Sequence, residues 1–222
     1  MKRCPQTGEC YFCTDSITFV PESIVKGYET MMLTLPVKGC LCPYHLQIVP
    51  YDHVGSFADA EKDVQQELLD VKEEIKKAFS TLKKVPMYSE ISVGMHHTHI
   101  DVFPIPEDMR KTAIKYAMNA INNALDEDRE NPIIKLHGQP KVGSGVKYLH
   151  MEVDGEGILQ VFDGTAIDNT FVRKIVVGLC GIKSEKAYTC KNELTDLGAE
   201  SVRVSSLFKE KEVIAKDSDE VL

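Results

Sequence analysis

The chain has 222 residues, 43% of them hydrophobic and 27% charged, proportions ordinary for a folded globular protein. No apolar run approaches the roughly 20 residues a membrane helix needs, and the opening residues lack the apolar core of a secretory signal. A net charge of -8 argues against a surface that grips nucleic acid everywhere. Local basic clusters remain (Lys76, Lys77, Lys83 and Lys84; Arg110, Lys111 and Lys115; Lys135, Lys141 and Lys147) and read first as solvated helix and loop charges.

In chain order, a polar lead carries Cys4, Cys10 and Cys13. Residues 29–36 and 45–50 read as two short strands joined by a tight link, the signature of antiparallel pairing. Ser56 with Asp59 three residues on is a capping-box pattern. Val64, Leu68, Val71, Ile75, Phe79 and Leu82 follow on one helical face, and Pro86 is expected to close that helix. Residues 88–103 read as one strand ended by Pro104 and Pro106. On it Ile91, Val93, Met95, His97, His99 and Asp101 share a face at period two. Residues 107–126 look helical, and 126–145 read as a loop. Strands at 148–154 and 158–163 flank Gly155, Glu156 and Gly157 as a hairpin, and a strongly apolar helix runs from Phe171 to Leu179, ended by Gly181. The charged stretch from Lys209 is expected to fray.

Seven cysteines, an odd number, in a chain expected in the reducing cytosol or nucleus leave metal ligation or plain burial rather than a disulfide framework. Cys10 and Cys13 form a C-x-x-C with no thioredoxin-like unit beside it. His53 and the cluster of residues 96–99 offer imidazole partners. Two thiolates with two imidazoles close a tetrahedral zinc shell, which contributes on the order of 10 kcal/mol to folding; buried thiols without metal are the plainer alternative. On the expected strand, His97, His99 and Asp101 are roughly 7 Å apart in succession. One can then close a metal shell while the next faces a ligand, and the carboxylate can fix an imidazole tautomer or hold a ligand hydroxyl. His45 and His53 bracket residues 48–50; His53 falls just past the sheet edge, and His45 reads equally well as a surface group.

"CYFC" at 10–13, "LPVKGCLCPYHLQIVPYDH" at 35–53 and "HHTHIDVFPIP" at 96–106 resemble, in that order, the histidine-triad superfamily. With "KYLHMEVDGEGILQVFDG" and "NTFVRKIVVGLCGI" further on, the chain resembles more narrowly the CwfJ family, C-terminal regions of spliceosome-associated proteins linked to intron-lariat turnover. The likeness covers about residues 10–182. It implies an α+β fold: an antiparallel sheet of about five strands with a long helix packed on it at 1–106, then a smaller α+β module at 107–222. It implies zinc held by Cys10, Cys13, His53 and His97. His99 falls where active triad enzymes keep the histidine that attacks a nucleotide α-phosphate. Asp101 departs from the histidine or glutamine of enzymatic branches: a carboxylate repels a phosphate and donates no hydrogen bond while ionised. Members usually carry an N-terminal extension, so the chain reads as a reduced protein or a fragment.

Lys141, Gly143, Ser144, Gly145 and Lys147 make a glycine-rich loop between lysines that can meet an RNA phosphate; a surface loop is the plainer reading. His150 is counted with Lys141, Ser144 and Lys147 as a candidate contact, although it alternates with apolar residues as a structural histidine would. Arg173 and Lys174 read as ordinary surface charges. The resemblance implies a nuclear protein that binds branched intron RNA, spliceosomal proteins or the lariat debranching enzyme. The alternative is an active nucleotide hydrolase or transferase using His99, with Asp101 orienting it; a zinc-stabilised adaptor is the third. The second module is expected to pack where a triad partner subunit would sit, giving a monomeric pseudo-dimer, with a homodimer as the other possibility.

Overall fold

The computed structural model describes residues 9–92, 96–124, 131–162, 170–188 and 196–209. Cys4, Val93, Met95, Cys190 and the charged tail beyond Lys209 lie outside them. Eight strands form one antiparallel sheet: β1 (Ile24–Gly27), β2 (Met31–Thr34), β3 (Leu46–Pro50), β4 (Lys84–Ser92), β5 (Ile100–Pro106), β6 (Ile134–His137), β7 (Tyr148–Val153) and β8 (Glu156–Val161). Their order is β1-β2-β3-β5-β4-β7-β8-β6. Four α-helices are described: α1 (Lys62–Ser80), α2 (Ala113–Ala124), α3 (Phe171–Cys180) and α4 (Leu197–Ser205).

Strand alternation separates two cores. Tyr88, Ile100 and Val102 join Leu68, Val71, Ile75 and Phe79 of α1 and Val204 of α4. Met87, Phe103, Ile105, Leu149 and Met151 join Ala117 and Ile121 of α2 and Val172 and Val176 of α3. Neighbouring residues on a strand point to opposite faces, so α1 and α4 cover one face and α2 and α3 the other. The apolar stripe of α1 contains one charge, Lys72. It reaches Glu152 on β7 at 2.7 Å and lies over the Tyr88 ring. Both partners are buried, so the pair links the long helix to the later part of the chain.

The expected strand at 88–103 is two strands. β4 stops at Ser92, β5 begins at Ile100, and they pair antiparallel from Lys84↔Pro106 to Glu90↔Ile100. His97 and His99 therefore lie in the approach to β5, not on a continuous face with Ile91. Pro104 and Pro106 sit inside β5 instead of ending it. Pro86 does not close the helix, which ends at Ser80. It opposes Pro104 in register, a position where neither strand donates a hydrogen bond, which is where proline is tolerated. The Ser56–Asp59 cap forms, with the Ser56 hydroxyl accepting from the Asp59 amide, but it starts a short 3-10 turn at Phe57–Asp59 ahead of α1. The stretch read as loop at 126–145 contains β6. The hairpin of β7 and β8 turns at Asp154 and Gly155, both at positive φ, as a tight two-residue turn requires. Gly181 ends α3 in the left-handed conformation. No described helix is long and apolar enough to cross a membrane.

Candidate metal centre and adjoining carboxylate site

β3 ends at Pro50 and the following turn carries His53; the approach to β5 carries His97. The turn and the approach are stitched together. The Thr98 amide donates to the Val54 carbonyl at 2.8 Å, and His97 Nε2 lies 2.8 Å from the Pro50 carbonyl. A fully buried carboxylate, Glu90, supports both segments. It accepts from the Phe57 amide at 2.7 Å, the Thr98 hydroxyl at 2.8 Å and the Tyr148 hydroxyl at 2.8 Å. Burial raises the Glu90 carboxyl above its ordinary value, and these three donors only partly oppose that.

The N-terminal lead closes on this frame. Cys13 Sγ is 3.2 Å from His53 Nδ1 and 3.4 Å from His97 Nδ1, and Cys10 Sγ is 3.6 Å from His97 Nδ1. The four donor atoms lie within 4.8 Å of one another, a group able to hold a metal ion. Burial lowers His97 to about 4, with the Pro50 carbonyl acting the other way. It is therefore neutral near pH 7. A proton on Nε2, donated to Pro50, leaves the Nδ1 lone pair facing the sulfurs. The four side chains come from residues up to 87 apart, and the Cys10–Cys13 segment gains its attachment to the sheet through them.

Beside this group lies a carboxylate. On β5, Asp101 shares a face with Phe103 and Ile105. Its Oδ1 accepts from Gln47 Nε2 at 2.9 Å and from His45 Nε2 at 3.2 Å. The Leu41 amide donates to His45 Nδ1 at 3.2 Å, which assigns the His45 proton to Nε2. His45 is buried and stacks on Phe103 at 4.3 Å; it is not a surface group. His99 Nε2 stands 3.7 Å from Asp101 Oδ2. Burial would raise the Asp101 carboxyl, but the electrostatic influence of the neighbouring His99 and the hydrogen bonds from His45 and Gln47 outweigh it and hold it at about 2. The carboxylate is thus ionised at any physiological pH. It can accept a hydrogen bond or attract a cation but not donate.

Phe12, between the two lead cysteines, packs against His99 with ring centroids 4.7 Å apart. With Tyr11 it forms a wall of a cavity of about 140 Å³ that is also lined by Phe19, Thr34, Lys38 and Gln47. Lys38 donates to the Tyr11 hydroxyl at 2.7 Å. The cavity is mostly apolar and aromatic with a few polar groups, the make-up of a small-molecule site.

The structure brings together Cys10, Cys13, His53 and His97, and separately His99 and Asp101. It does not bring the glycine-rich loop to them. Lys141, Ser144 and Lys147 are exposed, while His150 is buried on the α1 side of the sheet. Among the described residues His150 Nε2 has no partner. Arg173 is not an ordinary surface charge: it donates to three backbone carbonyls, at Gly39, Lys186 and Ala187. Sequence reasoning missed Gln47, Glu90 and the inward face of His45. The alternation of His45 and Gln47 across Leu46 was the available signal, but only the pairing Gln47↔Asp101 gives it meaning.

The family described as "Protein similar to CwfJ C-terminal" matches residues 1–118. Among curated proteins the chain is 29% identical to CWF19-like protein 1 of Xenopus laevis over 154 residues, covering 67% of this chain and 27% of that protein. It is 27% identical to CWF19-like protein 1 of Homo sapiens over 151 residues, covering 65% and 27%. It is 23% identical to Zinc finger CCCH domain-containing protein 64 of Arabidopsis thaliana over 191 residues, covering 80% and 31%. The chain thus spans less than a third of the length of these relatives.

Proposed function

The chain belongs to the family of proteins similar to the CwfJ C-terminus, and from that premise we propose that it is a nuclear, splicing-related binding protein of histidine-triad type. In this reading its triad site recognises a ligand without turning it over. The observation that carries the reading is the state of Asp101. A donor at that position would steady a phosphate or leaving group; here the group is an ionised acceptor held by His45 and Gln47. It favours a ligand that presents hydroxyls, such as the ribose edges at an RNA branch, over a phosphate dianion. Spliceosomal proteins and the lariat debranching enzyme are the protein partners this reading expects.

Zinc is the metal the four donors suit. Bonds of about 2.3 Å to sulfur and about 2.0–2.1 Å to nitrogen place tetrahedral sulfur and nitrogen donors about 3.6 Å apart. The sulfur–nitrogen separations here are 3.2, 3.4 and 3.6 Å. Four protein ligands leave no open position, so zinc would be structural. The His97–Pro50 contact is the outer hydrogen bond that fixes a ligating imidazole.

Residues 1–106 supply this centre and β1–β5; residues 107–222 are the second module. Pairing of β7 with β4 over six positions, Met87↔Val153 to Ser92↔Tyr148, supports a pseudo-dimer within one chain. The β4 edge, where a strand of a second copy would pair in this reading, is taken by β7 of the same chain.

The test is binding of a branched RNA oligonucleotide against its linear isomer, by wild type and Asp101→Asn, with a pull-down from nuclear extract alongside. Preference for the branch with recovery of splicing components is expected. No branch preference together with no splicing component would end this reading. The second reading, a nucleotide hydrolase or transferase, is favoured by His99: its side chain is 33% exposed and packs on Phe12, which lines the cavity. Turnover of adenylylated substrates by wild type and not by His99→Ala would establish it.

A further inference from the structure

Two arginines from the C-terminal part of the chain, outside the family match at 1–118, grip one short loop ahead of β3. Arg173 on α3 spreads its guanidinium over three carbonyls: Nη1 to Gly39 at 2.5 Å, Nε to Ala187 at 2.8 Å and Nη2 to Lys186 at 2.9 Å. Gly39 is at φ +75°, and a Cβ there would come within 3.2 Å of Arg173 Nη1. The glycine supplies both the left-handed turn and the room for the guanidinium. At the other end of the loop, Arg203 on α4 lies over the Tyr44 ring at 4.5 Å and donates to its hydroxyl at 2.7 Å. Glu200 pairs with the same guanidinium. Tyr44 is at φ +65°, a conformation that a residue with a Cβ keeps only when its surroundings impose it.

Between these two anchors lies the group that sets His45. The Leu41 amide donates to His45 Nδ1, and the His45 amide donates to the Cys42 carbonyl at 3.1 Å. With Nδ1 occupied as an acceptor, Nε2 carries the proton that goes to Asp101. We propose that Arg173 and Arg203 are positioning residues for the Asp101 carboxylate, acting through the loop of residues 39–45 and the tautomer of His45. The later part of the chain then completes the site as well as covering the sheet. Five donors on a planar guanidinium can span three carbonyls that diverge; a lysine ammonium cannot reproduce that fork.

This inference rests on the proposed function only in taking Asp101 as a ligand-facing group, and it is tested without ligand. Nitrogen-15 NMR of the imidazoles reads the His45 tautomer and the exchange rate of its Nε2 proton in the whole 222-residue chain prepared with zinc. Wild type is expected to show the Nε2-protonated form with slow exchange. In Arg173→Ala and Arg203→Met the proton is expected to exchange at least about tenfold faster, with mixed tautomers. Metal content should be unchanged, and Arg173→Lys should not rescue. Loss of stability alone would lower the melting temperature without moving the His45 signature. An unchanged signature in folded Arg173→Ala and Arg203→Met overturns the proposal. Should both variants fail to fold, Tyr44→Phe, which removes one hydroxyl, decides: faster exchange supports it and wild-type exchange overturns it. Failure of RNA binding with the wild-type signature intact would count against the proposed function alone.

Discussion

His97 turns one ring nitrogen to the Pro50 carbonyl at 2.8 Å and the other to Cys13 Sγ at 3.4 Å. One imidazole thereby joins the end of β3 to the N-terminal lead, and the Pro50 carbonyl fixes its orientation. The Phe12 ring against His99 and the Tyr11 hydroxyl on Lys38 hold the lead beside these donors.

Native mass spectrometry should find one divalent ion per chain in wild type and none in Cys13→Ser or His97→Gln. Structural zinc of this kind supplies on the order of 10 kcal/mol of apparent free energy. Both variants should therefore melt far below wild type and respond little to chelator. Cys180→Ser, outside the donor group, should keep its ion.

Lys72 and Glu152 form a buried ion pair. Removing one charge leaves the other buried without compensation, which costs about 3–5 kcal/mol. Lys72→Met should lose stability of that order in urea unfolding. Lys72→Met combined with Glu152→Leu should recover most of it. A double variant no better than the single one would show that the pair's partners matter less than the lysine's own packing over Tyr88.

Glu90 has a folded-state value above its unfolded one. Its contribution is fully present below the ordinary glutamate range and is lost as pH rises through the raised value, because the folded state holds the proton longer. Glu90→Gln keeps acceptor and donor capacity and has no proton to lose. Its stability relative to wild type should therefore rise with pH from about 4 upward. Thermal melts of the two proteins across that range check it; parallel curves would contradict the sign.

Asp101 behaves in the opposite sense. Its carboxylate is held at about 2, against an ordinary value of about 3.9. The stability it supplies is present above about pH 4 and is lost as pH falls toward the folded value. Gln47→Leu removes a donor at 2.9 Å. The Asp101 carboxyl should then titrate closer to its ordinary value, read by carbon-13 NMR. An unmoved midpoint would assign its ionisation to the imidazoles alone.

Some of this protein is written locally. The stripe of α1, the turn at Asp154–Gly155 and the glycine end of α3 follow from short-range rules of spacing and backbone freedom, which need only neighbours in sequence. The donor set could be read as well, because cysteine and histidine at close spacing have few uses, and the resemblance supplied which imidazoles. What the tertiary structure decided are the long-range registers. Period two at 88–103 suggested one strand, yet the chain reverses there, because pairing between β4 and β5 satisfies the backbone of both while an isolated long strand would not. Pro86 and Pro104 look like terminators until their opposition across that pair places them where no amide is needed. Asp101 lies 54 and 56 positions from Gln47 and His45 in sequence; only the β3–β5 register makes the three one site. Arg173 becomes a clamp only when α3 packs against the loop holding Gly39, since a guanidinium's partners are fixed by what stands within a few ångströms of it, and sequence distance carries no such information.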